Sequence, residues 1–385
     1  MQVASFALSA VYSGVLFVRW VRDDVKNRMW QQLGWFSGLV CMGSVAGAVA
    51  WGIRRENNSL NYEYNLPGIE TDRPHYALLA STYRFNAAFN IMYGLEFMCL
   101  MIPKLMMLGR LTNNAARSLQ VHAQEQGEGR CEVGSGGAVA RAYRVTAAAV
   151  VLCSVVGMVA LDVSGAYGAQ AAGVLDHAAA ACDPQCNNAN SSLALFHEAL
   201  AIKSQANTAF SVQAVLEAIA LLLISSAYII LVPFSVAMFR RAERVGAHAL
   251  FSVAAREDAG DARSNRAAAI VDDTIQAAAQ QRRRLVIACV VVLVTFPARA
   301  AFNLLNSYAT FNDLLLPNPA CGLCDPCQLD PFIIGVWLIY TPEFQPVVVA
   351  LSSPLPLVVS LWIITGAHAR AYAIALSILR ARLGR

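Results

Sequence analysis

Seven apolar stretches, each close to the length needed to cross a bilayer, are distributed along the whole chain. A helix needs about 20 residues to span ~30 Å of hydrocarbon. Because backbone groups in lipid must be hydrogen-bonded internally, such segments are helical. Charged residues make up 14% of the chain, well below the level of about 25% in soluble domains. The pattern predicts an all-α integral membrane protein, a single domain with seven transmembrane helices. The predicted spans are residues 3–18, 33–53, 87–108, 145–163, 208–238, 285–305 and 346–365.

Lysine and arginine are distributed unevenly between the two sides of this predicted bundle. With the N-terminus outside, the inner segments carry 22 Lys and Arg residues and the outer segments carry five. Because positive charge favours cytoplasmic loops, the N-terminus is predicted outside and the C-terminus in the cytoplasm. Arg54 and Arg55, directly after the second span, are the one pair that departs from this rule. The predicted location is the plasma membrane or an endomembrane.

The predicted outer loops carry two kinds of covalent-modification signal. Asn57 and Asn190 each begin an Asn-x-Ser sequon, which makes them glycosylation candidates on the outer side. Five of the ten cysteines also lie in outer loops. Their spacing lacks a fourth metal ligand, so disulfides are favoured over a metal site on an oxidising face. The odd number leaves one cysteine over, and the pairing stays open. These disulfide candidates are Cys182, Cys186, Cys321, Cys324 and Cys327.

Two predicted cytoplasmic segments are rich in arginine and in helix formers. The long inner segment 239–284 is expected to hold a helical continuation of span six that begins near Ser264. It is either a docking surface for a cytoplasmic signalling protein or a solvated helical extension. The tail 366–385 has leucines at helical spacing between arginines, the pattern of an amphipathic helix on an anionic leaflet. Alternatively, it continues span seven without a bend.

Four ionisable residues fall inside the predicted spans, where a charge is costly and is usually functional. They are Glu96, Asp162, Glu217 and Arg299. Glu217 and Arg299 lie at similar depth on consecutive helices, which predicts an ion pair. Lys104, near the inner end of span three, is expected to reach the headgroups.

Further polar residues fall at nearby depths, namely Asn86, Asn90, Tyr93 and Asn303. Together with Glu96, Glu217 and Arg299 they predict an outward-opening pocket for a small polar ligand. The alternative is a structural network that ties the helices together. The residues predicted to bind ligand are Glu96, Glu217, Arg299, Asn90, Tyr93 and Asn303.

The sequence lacks residues that several activities require. No lysine lies in the seventh span, which excludes a retinal Schiff base there, and all six histidines lie outside the spans. The histidine pattern excludes an intramembrane zinc hydrolase. Recognised hydrolase motifs are also missing. The chain is therefore predicted to be no enzyme, to need no cofactor or metal, and to have the lipid bilayer rather than nucleic acid as a partner.

Two resemblances accompany this topology. Seven helices with an outer N-terminus and a long inner loop between spans five and six resemble a G-protein-coupled receptor. Arg299 in span six and Glu343-Phe-Gln-Pro346 at the start of span seven resemble the plant and algal seven-helix family of the THH1/TOM1/TOM3 type. The receptor resemblance implies a sensor of a small ligand that signals to a cytoplasmic partner.

Two other functions fit the same sequence. The buried charges would also serve a secondary transporter, although no repeat relates the first and last three spans. A non-signalling scaffold or assembly subunit would use small residues on a lipid-facing surface. Gly43-Ser-Val-Ala-Gly47 is a G-x-x-x-G match that would serve this purpose. The same motif would otherwise pack span two within its own bundle.

Overall fold

The structure is a computed structural model, and six long α-helices account for almost all of the residues described in it. It describes residues 2–23, 28–64, 73–125, 133–181, 189–254, 262–314, 348 and 356–359, and every one of these residues is helical. The helices are α1 (Gln2–Asp23), α2 (Arg28–Tyr64), α3 (Arg73–Glu125), α4 (Val133–Ala181), α5 (Ala189–Ala254) and α6 (Ala262–Leu314).

Consecutive helices pack against each other in antiparallel pairs. Gly47 of α2 lies against Phe6 of α1, close to the start of that helix, whereas Gly43 lies against Leu100 of α3. In α6, Ser307 donates a hydrogen bond to the carbonyl of Ser211 in α5 at 3.2 Å. In addition to its neighbours in sequence, α3 packs against α5. The end of the bundle where α1, α3 and α5 begin and α2, α4 and α6 finish is called the amino-terminal end below.

All six helices are long and apolar enough to cross a membrane. Predicted spans one to six each fall within one of them, so the described part of the chain is all-helical, with six candidate membrane-spanning helices. Their outward faces carry large apolar side chains such as Leu8, Leu152 and Ile230, exposed by 72%, 65% and 62%. A water-soluble protein would bury such a continuous apolar surface, whereas lipid solvates it.

Predicted span seven, 346–365, lies outside the described residues except for Val348 and 356–359. Leu357 is buried in the main core, and Val348 packs against Phe302 and Ala309 of α6. Parts of this segment therefore contact the bundle, while the count of seven spans stays a prediction. The amphipathic tail 366–385 and Cys182, Cys186, Cys321, Cys324 and Cys327 also lie outside the described residues.

The helices are much longer than the predicted spans. At 1.5 Å per residue, the 53 residues of α3 and the 66 of α5 extend roughly 80 and 100 Å, against ~30 Å of hydrocarbon. Residues 164–181 and 189–207, which the sequence analysis treated as an outer loop, are helical continuations of α4 and α5. Hydropathy missed them because alanine favours helix strongly while adding little apolar character. The predicted continuation of span six is confirmed, since α6 begins at Ala262.

The two larger apolar clusters among the described residues hold the helices together. The main cluster runs through the bundle and includes Phe6, Phe97, Leu221 and Phe296. A second group, called the distal cluster below, joins α3, α4 and α5 nearer the amino-terminal end. It is rich in alanine, so the three helices approach closely there. Its buried members are Tyr76, Leu79, Ala80, Tyr83, Ala171, Ala172, Leu175, Ala178, Ala179 and Ala199.

The G-x-x-x-G motif of α2 packs inside the bundle. A methyl group at Gly47 would overlap the ring of Phe6, and one at Gly43 would overlap Leu100. Both glycines therefore permit close approach of α2 to α1 and α3. The lipid-facing alternative is wrong for this pair, since both positions are covered by neighbouring helices of the same chain.

Candidate functional site

Three helices bring a carboxylate, a phenol and a guanidinium together in the middle of the bundle. Arg299 Nε of α6 lies 3.3 Å from Glu217 Oε1 of α5, which confirms the predicted ion pair. The hydroxyl of Tyr93 in α3 donates a hydrogen bond to Glu217 Oε2 at 2.7 Å. Arg299 in turn donates to the Tyr93 hydroxyl oxygen. Because each group contacts the other two, this polar network links α3, α5 and α6.

The helical repeat adds a fourth member to the network. Gln213 lies one turn before Glu217 on the same face of α5, and its Nε2 donates to Glu217 Oε2 at 2.9 Å. The side chains of Arg299 and Glu217 are only 4% and 6% exposed. A buried charge with neither partner nor water is strongly unfavourable, so each ionised group here depends on the other.

Glu96 and Lys104 lie below the network, on the side away from the amino-terminal end. Both are buried in α3, and the charges of Glu217 and Arg299 act on each of them. Lys104 Nζ lies 4.9 Å from the centroid of the Phe296 ring. The prediction that Lys104 extends to the headgroups is wrong, because aromatic and carboxylate groups inside the bundle provide its surroundings.

A small gap separates these residues from the network. It has a volume of about 10 Å³ and is lined by Glu96, Lys104, Glu217 and Arg299 among others, roughly enough for one water molecule. Glu96 Oε2 makes no hydrogen bond within the described part of the chain. The Trp51 indole lies beside this carboxyl group.

A larger cavity lies above the network and extends toward the amino-terminal end. Its volume is about 240 Å³, slightly below the range of about 300–1,000 Å³ for drug-sized ligands. Tyr93, Gln213 and Arg299 belong both to the network and to the cavity wall. The wall carries six side-chain amides: Asn86, Asn90, Asn207, Gln213, Asn303 and Asn306.

Hydrogen bonds between helices hold part of this wall in place. Asn90 Nδ2 of α3 donates to Ser164 Oγ of α4 at 3.0 Å, and Ser164 Oγ donates to the Ala206 carbonyl of α5 at 2.7 Å. By contrast, Asn303 Nδ2 is buried and has no hydrogen-bond partner among the residues described. A polar ligand in the cavity would accept a hydrogen bond from this amide nitrogen.

Arg54, one of the two arginines that depart from the charge rule, turns inward to the cavity. Its Nη1 donates to Asn86 Oδ1 at 3.0 Å, and Asn57 Nδ2 donates to the same oxygen at 2.8 Å. This explains the anomaly in the case of Arg54, because its guanidinium belongs to a polar site within the bundle. Its neighbour Arg55 is exposed.

The two predicted glycosylation sites fall in helices. The Asn57 side chain is fully buried and hydrogen-bonded, so this conformation leaves no room for a glycan on it. The prediction of glycosylation at Asn57 is therefore not supported. Asn190 lies in the first turn of α5, and its side chain is outside the described part.

The predicted ligand-binding residues thus divide into two layers. Asn90, Tyr93, Arg299 and Asn303 line the large cavity, while Glu96 and Glu217 lie at the gap beneath it. Asp162 joins neither layer, since its side chain is exposed on the surface of α4.

Several residues of the wall were not among the predicted binding residues, including Trp51, Lys203 and Gln213. Gln213 could have been found, because it precedes Glu217 by four residues and a helix places the two side by side. Arg54 and Lys203 were treated as charges of outer loops, and the amino-acid sequence does not show that they face the bundle.

Comparison of the chain with protein-family models, with curated proteins and with solved structures gives no match. Within the described ranges, no group of three or more His, Cys, Asp or Glu residues is placed to hold a metal ion. The four cysteines described there, Cys41, Cys99, Cys153 and Cys289, are free thiols.

Proposed function

We propose that this chain is a receptor-like membrane protein that senses a small polar ligand and signals to a cytoplasmic partner. The observation that carries this proposal is that the floor of the cavity is also the junction of three helices. Tyr93, Gln213 and Arg299 line the cavity and take part in the network of α3, α5 and α6. A ligand that bonds to any of them competes with bonds that hold these helices in one arrangement.

The length of α5 and α6 supports a signalling role. Both continue beyond the network, α5 as far as Ala254 and α6 from Ala262. A small rotation at Glu217 or Arg299 would be carried along these helices toward the segment 239–284, where a partner would bind. Such a ligand shifts the equilibrium only as far as its affinities for the two arrangements differ.

Orientation and compartment belong to the same proposal. We infer seven spans with the N-terminus outside, so that the cavity faces the outer side of the plasma membrane or an endomembrane. The excess of inner Lys and Arg residues, 22 against five, supports this orientation. In this arrangement the helix ends near residues 239–284 meet the cytoplasm.

Ligand screening with matched variants tests the binding half of the proposal. The purified protein is screened against small polar compounds for a rise in melting temperature, and each hit is repeated with Glu217→Gln and Arg299→Gln. Asp162→Asn is the control, because it removes a charge on the exposed face of α4. We expect stabilisation in the wild type and the control and its loss in both network variants. Hits that persist in both network variants would place binding elsewhere.

A distance measurement tests the signalling half. Arg240 of α5 and Arg283 of α6 are exposed near the end of the bundle opposite to the cavity. Spin labels at Arg240→Cys and Arg283→Cys report the separation of the two helices. A stabilising ligand should change this distance. An unchanged distance would mean that the protein binds the ligand without the proposed movement of α5 against α6.

A secondary transporter is the second candidate, favoured by Glu96. This buried carboxyl group has an oxygen without a hydrogen-bond partner in the described residues and adjoins a gap of about 10 Å³. Such a group can take up and release a proton as a substrate moves. Proton-dependent uptake into reconstituted vesicles, abolished by Glu96→Gln, would favour this function, while absence of uptake favours the receptor.

A further inference from the structure

We propose that the ligand of the cavity is an anion, a small organic molecule whose carboxylate or phosphate group is bound by Arg54 and Lys203. This inference rests on the proposed function and specifies the chemical class of its ligand. Neither cation belongs to the network that the buried ionisable residues predicted. Both lie on the cavity wall, on α2 and α5, nearer to the amino-terminal end than Tyr93 and Arg299.

Arg54 is positioned with donors to spare. One guanidinium nitrogen bonds to Asn86 Oδ1 at 3.0 Å, and the group lies 5.5 Å from the centroid of the Phe89 ring. Its Nε is buried and makes no hydrogen bond within the described residues. A guanidinium has five N–H donors, so an anion can bind to Arg54 while the bond to Asn86 remains.

Lys203 faces the same space from α5. Its Nζ lies 5.2 Å from the centroid of the Tyr83 ring, a contact that orients the ammonium group without neutralising it. The charges of Lys203 and Arg54 are close enough to repel each other. Two like charges on one partly enclosed wall repel each other, and an anion bound between them would offset that repulsion.

The rest of the described wall supplies no anion. Its charged members are Arg54, Lys203 and Arg299, and no Asp or Glu is among its described lining residues. Arg299 is neutralised from below by Glu217. In the described part of the chain, neither Arg54 nor Lys203 forms an ion pair with a carboxylate. The contrast indicates that the upper wall lacks a counter-charge which the floor already has.

The remaining wall indicates the body of the ligand. Asn207, Asn303 and Asn306 present amides, and Trp51, Phe210 and Phe302 present aromatic surface. Amides both donate and accept hydrogen bonds, so they suit hydroxyl, amine or carbonyl groups. With a volume of about 240 Å³, the cavity suits an organic acid or phosphate ester of metabolite size.

Pairs of probes, each an anion with a neutral counterpart of the same carbon skeleton, test this inference. Glutarate is compared with glutaramide, and glycerol 3-phosphate with glycerol, by dissociation constant on the full-length protein in nanodiscs at constant ionic strength. We expect at least one anion to bind at least tenfold more tightly than its neutral partner. The first pair reports carboxylate recognition and the second reports phosphate recognition.

Variants assign that binding to the two cations. Arg54→Gln and Lys203→Gln should each weaken binding of the anion at least tenfold. Arg54→Lys and Lys203→Arg should retain most of the affinity. Arg55→Gln, next in sequence but exposed, is the matched control and should leave the affinity unchanged. The charge-preserving variants separate loss of charge from misfolding. If they still bind the anion, the weaker binding of the Gln variants is due to the missing positive charge.

The outcomes separate this inference from the proposed function. If neutral and charged probes bind equally and neither Gln variant matters, the inference is wrong while the cavity remains a ligand site. Anion binding that survives both Gln variants also overturns it, since the anion then binds elsewhere. If no anionic probe binds while neutral polar compounds stabilise the protein through Glu217 and Arg299, the inference fails and the proposed function stands.

Discussion

Two ion pairs between helices in the described part of the bundle have the same chemistry but differ in their exposure. Arg84 and Asp176 pair between α3 and α4, with side chains 56% and 41% exposed. Arg299 and Glu217 pair between α6 and α5, with side chains 4% and 6% exposed. Exposed pairs contribute about 0–1 kcal/mol, whereas breaking a buried pair costs about 3–5 kcal/mol because one charge is left without a partner.

The surroundings of the two pairs differ in the same way. Arg84 and Asp176 flank the distal cluster, whose apolar and alanine-rich contacts already hold α3 and α4 together. Around Arg299 and Glu217, by contrast, Tyr93 and Gln213 supply bonds that depend on orientation. Packing of small apolar groups tolerates small shifts, while a buried network permits only a few arrangements. In the proposed receptor, we therefore expect the network to change its arrangement and the distal cluster to keep its packing.

The largest effect is expected from Arg299→Met. It leaves Glu217 buried without its cation and should lower the free energy of unfolding by about 3–5 kcal/mol. Thermal and denaturant unfolding in detergent measure this loss. The double variant Glu217→Gln/Arg299→Met should lose less than the sum of the single variants, since the two groups are coupled. Additive losses would contradict the coupling.

Leu175→Ala tests the distal cluster. Leu175 is fully buried, and its truncation should lower stability by about 3 kcal/mol through lost contacts and a cavity. The affinity of any ligand found for the cavity should stay unchanged. This result would show that the distal cluster stabilises the bundle without forming part of the binding site. Leu152→Ala, on the exposed face of the same helix, is the control and should have little effect. Loss of ligand affinity in Leu175→Ala would make the distal cluster part of the site.

Tyr93→Phe should have a smaller effect on stability and a clear effect on binding. It removes a hydroxyl that donates to Glu217 and accepts from Arg299. Stability should fall by about 1–3 kcal/mol, and affinity for a cavity ligand should fall with it. Tyr12→Phe on the outer face of α1 is the control for the phenol itself. Unchanged stability and affinity in Tyr93→Phe would show that the hydroxyl does not connect cavity and network.

Arg84→Gln should have the smallest effect, about 0–1 kcal/mol, because both partners are solvated. Any loss should shrink further as salt is raised, since salt screens exposed charges. Unfolding of wild type and variant at low and high ionic strength measures it. A loss comparable to that of Arg299→Met would remove the contrast between the two pairs.

The ion pair of Glu217 and Arg299 is the part of the candidate site that the structure confirms. Glu217 and Arg299 could be paired from sequence because each lies at a countable distance from the end of an apolar stretch. The cations of the upper wall could not be found in this way. Arg54 and Lys203 lie in helices, but both fall just outside the predicted spans and were therefore assigned to loops. Counting residues from the end of a span gives depth, and it does not tell which side of a helix faces the bundle.

Helix lengths show a similar division. Apolar length identified the spans within α1 to α6, because lipid requires about 20 apolar residues for each crossing. It missed the extensions of α4 and α5 around 164–181 and 189–207, where alanine-rich sequence forms helices that pack as the distal cluster. Lys104 was misplaced for a related reason, since its inward direction depends on the Phe296 ring of another helix.

The sequence by itself determined that this chain is helical and apolar enough to cross a membrane several times, because backbone hydrogen bonding in lipid leaves helices as the solution for such stretches. It also determined that the charges of Glu217 and Arg299 require partners. Only the tertiary structure decided which side chains meet. The network of Tyr93, Glu217 and Arg299 and the cavity above it arise from the rotation and register of α3, α5 and α6, which packing between helices sets.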